Sequence, residues 1–279
     1  MRLRFQFLQQ KSQLGVDRFG RRHSHIPVFD IMSKTNKIDF WRSYFRSFFI
    51  QAGWNYERMI ALGFLWAIIP LTEKLYSNSE EKISFIKRHL NSFNSNPYFA
   101  SYAIGAIAKL EQERKDPEEI IGFKQALMGP LGALGDSLVW VRFRPALGIL
   151  GIMLALKFGI LGGIAFFALY NIFQLHFRYV ALNKGYSFGF GLAGHLSSKT
   201  YPQLIGFFSM VGAVLFGFFF IFCLNNSASF DKIGELLFFL VVFLFCVWAL
   251  RKNLNPGLVF LISLFGGVGL NLLLNLVAK

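Results

Sequence analysis

Apolar and polar positions change their rhythm several times along the chain, and each change predicts a different kind of element. Residues 1–37 are basic and polar, with Arg18, Arg21, Arg22, His23 and His25 clustered and no sustained apolar period, so a disordered cytoplasmic lead is expected there. Met32 opens the stretch MSKTNKIDFW, a natural alternative start. From Asp39 onward, Phe40, Tyr44 and Phe48 recur at helical spacing, with Trp41, Phe45 and Phe49 beside them and Arg42 and Arg46 on the flanks. This stripe predicts a helix that either lies in a membrane interface or packs against a partner subunit. Met59 to Leu71 is apolar but too short to span a bilayer alone and meets Pro70, which predicts a helix partly sunk into an assembly.

Between Thr72 and Lys124 the pattern becomes that of a water-soluble, cytoplasm-facing protein, with an amphipathic helix in EEKISFIKRHLNSF, a turn at Asn96-Pro97 and a helix start at Pro117. ALMGPLGALGDSLVWVRFRP then brings Gly129, Pro130, Gly132 and Gly135 into an apolar run, predicting a broken helix whose polar backbone is received by protein or a wet cavity. Ala146 to Tyr170 is long enough to span but carries Lys157 and Gly159 near its middle, so it forms either one helix with an inward lysine or two arms of a hairpin. After a polar stretch with Arg178, Lys184 and Lys199, three apolar blocks follow: Gln203 to Leu224, Glu235 to Leu250 and Pro256 to Val277. The pattern predicts an all-α, multi-pass integral membrane protein, with amphipathic and broken or re-entrant helices and about three C-terminal spanning helices. Its regions are 1–37, 38–124, 125–170, 171–202 (a cytoplasmic connector) and 203–279 (transmembrane helices).

Composition sharpens the class: 54% of the 279 residues are hydrophobic and only 16% charged, too apolar for a soluble domain. The net charge of +14 builds no nucleic-acid-reading motif, and its placement beside apolar blocks fits basic cytoplasmic flanks. On that rule the N-terminus, the Lys199 side and the Arg251 side face the cytoplasm, with the Asn225 connector and the C-terminus outside. Cys223 and Cys246 both sit in apolar runs, which argues against a disulfide framework or a zinc site. The first residues have no apolar core or small-residue cleavage site and make no secretory signal.

Few residues offer chemistry. Asp136 and Ser137 lie in the glycine-broken segment, where a carboxylate is costly unless paired or wet. They could meet the hydroxyls of a polar ligand; alternatively Asp136 caps a helix or pairs with Arg144. Asn55 and Glu57, among Trp54, Tyr56 and Trp66, have the composition of a sugar site, where aromatic rings pack on sugar faces, but the same set could lock a subunit interface. Arg58 neutralises Glu57 or meets lipid phosphate. His89, Asn91, Asn94 and Asn96 close an amphipathic helix as a cap and turn, or mark a docking or exit site. The five histidines have no repeated spacing, and no glycine-rich phosphate loop occurs, so no catalytic residue, cofactor or metal is expected. A membrane-bound transferase would need a convergent acid–base or metal set, which this scatter does not supply.

QAGWNYER at Gln51–Arg58 resembles the stretch Q-A/G-S/G-W-N-Y-E-R of the IID components of the mannose, fructose and sorbose family of bacterial phosphotransferase systems. The resemblance recurs in order at Lys87–Tyr98 (KRHLNSFNSNPY), at Gly122 to Pro145 and at Leu250–Pro256, and covers the chain from about Lys37 onward. Val141, Arg142 and Phe143 depart from the small residues usual there. The resemblance implies a non-phosphorylated subunit of the bacterial inner membrane. With a IIC subunit, in a trimer of IIC–IID pairs, it would move a hexose or amino-hexose inward while soluble IIA and IIB phosphocarriers deliver the phosphoryl group. A structural or receptor-like subunit without sugar contact is the alternative.

Overall fold

The computed structural model describes residues 37–226 and six isolated positions beyond them, Leu240, Val241, Leu244, Phe245, Trp248 and Lys252. The basic lead and the two apolar blocks at Glu235 to Leu250 and Pro256 to Val277 therefore lie outside the described residues, wholly or nearly so. The chain divides into two compact units at Phe216 and Gly217, and all packing below belongs to the first.

Local chemistry sets the helix ends. α1 (Lys37–Arg46) runs into a short 3₁₀ turn, Ser47–Phe49, and α2 (Ala61–Thr72) follows after the Trp54–Met59 loop. Asn78 caps α3 (Ser79–His89) by accepting the Glu80 N–H at 2.9 Å; acids fill its first turn and Lys87, Arg88 and His89 its last, each complementing the helix dipole. α4 (Ala100–Gln112) is made mostly of small and apolar residues, nearly all buried, and forms the centre of the unit. Asp116 caps α5 (Pro117–Gly135), with Pro117 at the position where its missing N–H costs nothing.

Among the described residues, three helical stretches are long and apolar enough to cross a membrane: Pro117–Phe158, Ile160–Leu196 and Thr200–Phe219. The first is α5, a π-helical segment at Asp136–Phe143, and α6 (Arg144–Phe158) in unbroken succession. The irregularity expected between Gly129 and Gly135 thus lies just beyond it. A Cβ on Gly129 or Gly132 would meet nothing within 4 Å, so no neighbour forces the backbone aside there, and the register widens only from Asp136. At Gly159 the chain reverses with φ +59°, a conformation open to glycine, and α7 (Ile160–Phe188) returns along α6 as a helical hairpin. Lys157 stands exposed at this turn. Residues 171–188, within the connector expected from sequence, continue α7. A 3₁₀ turn, α8 (Leu192–Leu196) and α9 (Thr200–Asn226) complete the described fold. A further 3₁₀ turn, Glu73–Leu75, follows α2, and two isolated β-bridges join Asn55 to Met59 and Met59 to Phe93.

The core joins α2, α4 and α7 around Phe64, Phe93, Phe99, Ile104 and Ile107, all fully buried. α4 and α7 touch backbone to backbone: a Cβ on Gly105 would collide with the Leu182 carbonyl, and one on Gly185 with the Tyr102 carbonyl. Such reciprocal glycines let two apolar helices approach closely where lipid offers no hydrophobic drive for association.

Candidate functional site

The Trp54–Met59 loop is pinned from within. The Asn55 Oδ1 accepts the Arg58 N–H at 2.9 Å, Asn55 and Met59 exchange backbone bonds at 2.8 and 3.3 Å, and Met59 takes φ +56°. Phe93 is clamped on the far side, donating to the Arg58 carbonyl and accepting from Ile60 N–H. A non-glycine residue held at positive φ by surrounding bonds is strain that local structure over-determines. The loop presents Trp54 and Tyr56 outward, rings 4.8 Å apart, with Glu57 exposed and paired to Arg58 at 3.3 Å. Asn55 therefore shapes the loop, while Glu57 and Tyr56 are what it displays.

Asn96, three residues beyond Phe93, reaches Asp136 at the head of the π segment, its Nδ2 donating to Oδ1 at 2.9 Å. The contact needs Gly135, because any Cβ there would overlap the Asn96 side chain. Asp136 remains exposed. Its alternative partner from sequence, Arg144, instead lies over the Trp140 ring at 4.8 Å and the Tyr170 ring at 5.9 Å. The Tyr170 hydroxyl is hydrogen-bonded to that of Tyr98, whose ring packs edge-on against Trp140 at 5.6 Å. Ser137 faces elsewhere: Arg142 Nη1 donates to its hydroxyl and its carbonyl at 2.6 and 2.7 Å, and Arg142 Nε donates to Ser209 of α9 at 2.8 Å. Residues 137 and 142 are five apart, the spacing that a π turn brings together.

The candidate residues thus form three groups: an outward loop with Asn55 and Glu57, the Asp136–Asn96 pair beside the Arg144–Trp140–Tyr170–Tyr98 set, and the Ser137–Arg142–Ser209 link. Asn96, Trp140, Tyr98 and Tyr170 are additions that sequence did not single out for this set. The Trp140–Arg144 spacing of four on a helix was the available signal.

A separate buried network was also missed. Glu111 accepts from Arg88 Nε at 2.8 Å and Nη2 at 2.6 Å, from His89 Nε2 at 2.7 Å, and from the Tyr76 hydroxyl. Burial alone would raise the Glu111 carboxyl, but the hydrogen bonds from His89, Arg88 and Tyr76 outweigh it and hold it down to about 2. Burial pushes the His89 imidazole down to about 4 against the pull of Glu111. Its Nδ1 has no partner, so a second ring proton would find no acceptor. Burial, reinforced by Glu111, raises the Tyr76 phenol to about 12. Lys124 is buried next door, donating to the His89 and Asn91 carbonyls at 2.9 and 3.3 Å. Arg178 is buried between the Phe48 and Tyr98 rings and donates to the Ser47 and Pro97 carbonyls at 2.7 and 2.8 Å. These groups bind segments together. Among the described residues no group of three or more His, Cys, Asp or Glu side chains could hold a metal ion.

Residues 34–276 match the family described as the PTS system mannose/fructose/sorbose family IID component. The chain is similar to the mannose-specific EIID component of Escherichia coli K12, 32% identical over 256 residues that cover 80% of this chain and 88% of that protein. It is similar to the sorbose-specific EIID component of Lacticaseibacillus casei, 33% identical over 197 residues, 69% of this chain and 70% of that one. Among solved structures, a membrane protein is similar with a TM-score of 0.67 and 30% identity, covering 85% of this chain and 96% of the other. The mannose transporter ManYZ in complex with microcin E492 is similar with a TM-score of 0.53 and 29% identity, covering 85% and 95%.

Proposed function

Because the chain belongs to the IID components of the mannose/fructose/sorbose phosphotransferase family, we propose that it is the IID half of a membrane unit passing a hexose or amino-hexose inward. Its partner is a IIC subunit, the IIC–IID pairs assemble as a trimer, and soluble IIA and IIB proteins supply the phosphoryl group. The chain itself accepts no phosphate. The observation that carries this reading is the family match over residues 34–276, supported by a fold similar to that of a mannose transporter. The N-terminus and the Thr72–Lys124 region face the cytoplasm, as the basic flanks favour.

Within that unit, Asp136 and Asn96 supply an acceptor and an amide for sugar hydroxyls, and Trp140 an aromatic face, where the sugar path runs between IID and IIC. Support comes from an exposed carboxylate on an otherwise apolar membrane-length helix, held in place by the Asn96 amide and left with acceptor capacity for a polar ligand. Glu57 and Tyr56 on the outward loop meet the IIC subunit. The π segment is the joint at which α6 shifts relative to α5.

The test uses membrane vesicles holding the cognate IIA, IIB and IIC proteins with or without this chain, and a panel of radiolabelled hexoses. Uptake and phosphorylation are both expected to vanish without it while IIC stays inserted. Unchanged uptake would overturn the transport role in favour of a structural subunit. Asp136→Asn in the same vesicles is expected to lower uptake at least about tenfold, roughly the loss of one charge-assisted hydrogen bond, with the complex intact.

A further inference from the structure

α1 is apolar on two faces, and the chain buries only one of them fully. Phe40 and Tyr44 are buried against Tyr179 of α7, with ring centroids 5.7 and 6.3 Å away, and the Tyr44 hydroxyl donates to the Leu175 carbonyl at 3.0 Å. Trp41 stacks on the Tyr179 ring at 5.9 Å yet stays 40% exposed, and with Phe45, Phe49 of the following 3₁₀ turn and Trp66 of α2 it leaves an aromatic surface with exposures from 40% to 58%. The Trp41–Phe45 and Phe49–Trp66 rings lie 6.0 and 5.9 Å apart, so these side chains form one aromatic ridge.

Its rim is basic. Arg42 is largely exposed, Lys37 is exposed, and Arg46 sits 4.9 Å from the Trp66 ring while donating to the Trp66 carbonyl at 3.0 Å. The single acid of α1, Asp39, is buried and held by Lys74 at 2.7 Å and by Arg42 at 3.8 Å. The surface that remains is aromatic and cationic.

α7 gives the level of this ridge. From Ile160 to Tyr179 is about 28 Å of helix at 1.5 Å per residue, close to the ~30 Å of a hydrocarbon core. Lys157, at the hairpin turn, calls for the headgroup layer at that end. Exposed apolar side chains run along α7 from Ile160 through Ile164, Phe167 and Ile172 to Leu175, and burial takes over from Arg178, where α1 docks.

We propose that the Trp41–Phe45–Phe49–Trp66 face of α1 and α2 rests in the headgroup layer on the membrane side opposite the hairpin turn, with Lys37, Arg42 and Arg46 engaging phosphates of anionic lipids. Aromatic rings favour that layer, and basic groups beside an apolar helix face favour anionic lipid. The inference needs the chain to be in a membrane and is independent of where sugar binds.

The test places a photoreactive phenylalanine analogue at Phe45 or Phe49 in the IIC–IID complex, reconstituted in nanodiscs of phosphatidylcholine with a minority of phosphatidylglycerol. The chain is expected to gain lipid-mass adducts in which phosphatidylglycerol exceeds its share of the bilayer at least about threefold. The double variant Lys37→Gln, Arg42→Gln should return it to its share while lipid adducts persist. Adducts with the IIC subunit or a second copy of this chain in place of lipid would overturn the proposal, as would lipid adducts without anionic preference in the unsubstituted ridge.

Discussion

Gly132 and Gly135 look equivalent in the sequence, three residues apart in one glycine-rich run, yet only Gly135 is pressed against a neighbour. Gly135→Ala is therefore expected to push Asn96 off Asp136 and to lower sugar uptake severalfold, while Gly132→Ala leaves uptake within about twofold of wild type; equal effects would show that the Asn96 contact is not what matters. The buried network sets a second expectation, in acid. His89 has a folded value of about 4 against 6.5 when unfolded, and Glu111 about 2 against 4.5, so on acidification the unfolded chain binds protons first in both cases. Stability present at neutral pH should be lost from about pH 6.5 down to 4 through His89, and below 4.5 through Glu111. The thermal midpoint of the purified complex should fall across the upper window. His89→Gln, which keeps a donor for Glu111 and cannot be protonated, should flatten that fall; an unchanged slope would assign it to another group. Removing the carboxylate with Glu111→Ala should cost about 3–5 kcal/mol, because it leaves Arg88 buried without its counter-charge.

Among the elements, the α4–α7 pair depends on backbone contact and the α6–α7 hairpin on a single reversal. Gly185→Ala places a methyl on the Tyr102 carbonyl, whereas Gly191→Ala, a few residues on, meets nothing within 4 Å. The first should sharply reduce the yield of folded chain in membranes and the second should not, as size-exclusion profiles of detergent extracts would report; similar yields would mean that α4 and α7 can separate at little cost. Element identity was legible where periodicity or a breaker announced it: α3 from its amphipathic spacing, α5 from Pro117, α9 from its apolar length. The π segment was not, since the glycines that suggested a break lie before it, and hydrogen-bond register responds to packing on both sides of a helix. Whether Lys157 lay in one long helix or at a hairpin turn was open for the same kind of reason, because length and composition serve both, and only the backbone angle at Gly159 separates them.

For the whole molecule, transport by a IIC–IID pair asks one chain to present a lipid-facing surface, a partner-facing surface and a polar path. On the proposed reading these roles fall to exposed apolar side chains on α6 and α7 and the aromatic and basic ridge of α1 for lipid, the outward Trp54–Met59 loop for the partner, and Asp136 with Asn96 at the head of the π segment for the path. The sequence by itself determined that the protein is an all-α membrane protein of the IID family. Solvent preference, helix periodicity and ordered motifs are written in stretches of neighbouring residues and need no knowledge of who touches whom. Tertiary structure alone decided that Asp136 meets Asn96 rather than Arg144, that Glu111 gathers Arg88, His89 and Tyr76, and that Gly105 lies on Leu182. Those partners stand 22 to 77 residues apart in the sequence, and their meeting is fixed by how whole helices pack, a property no local pattern carries.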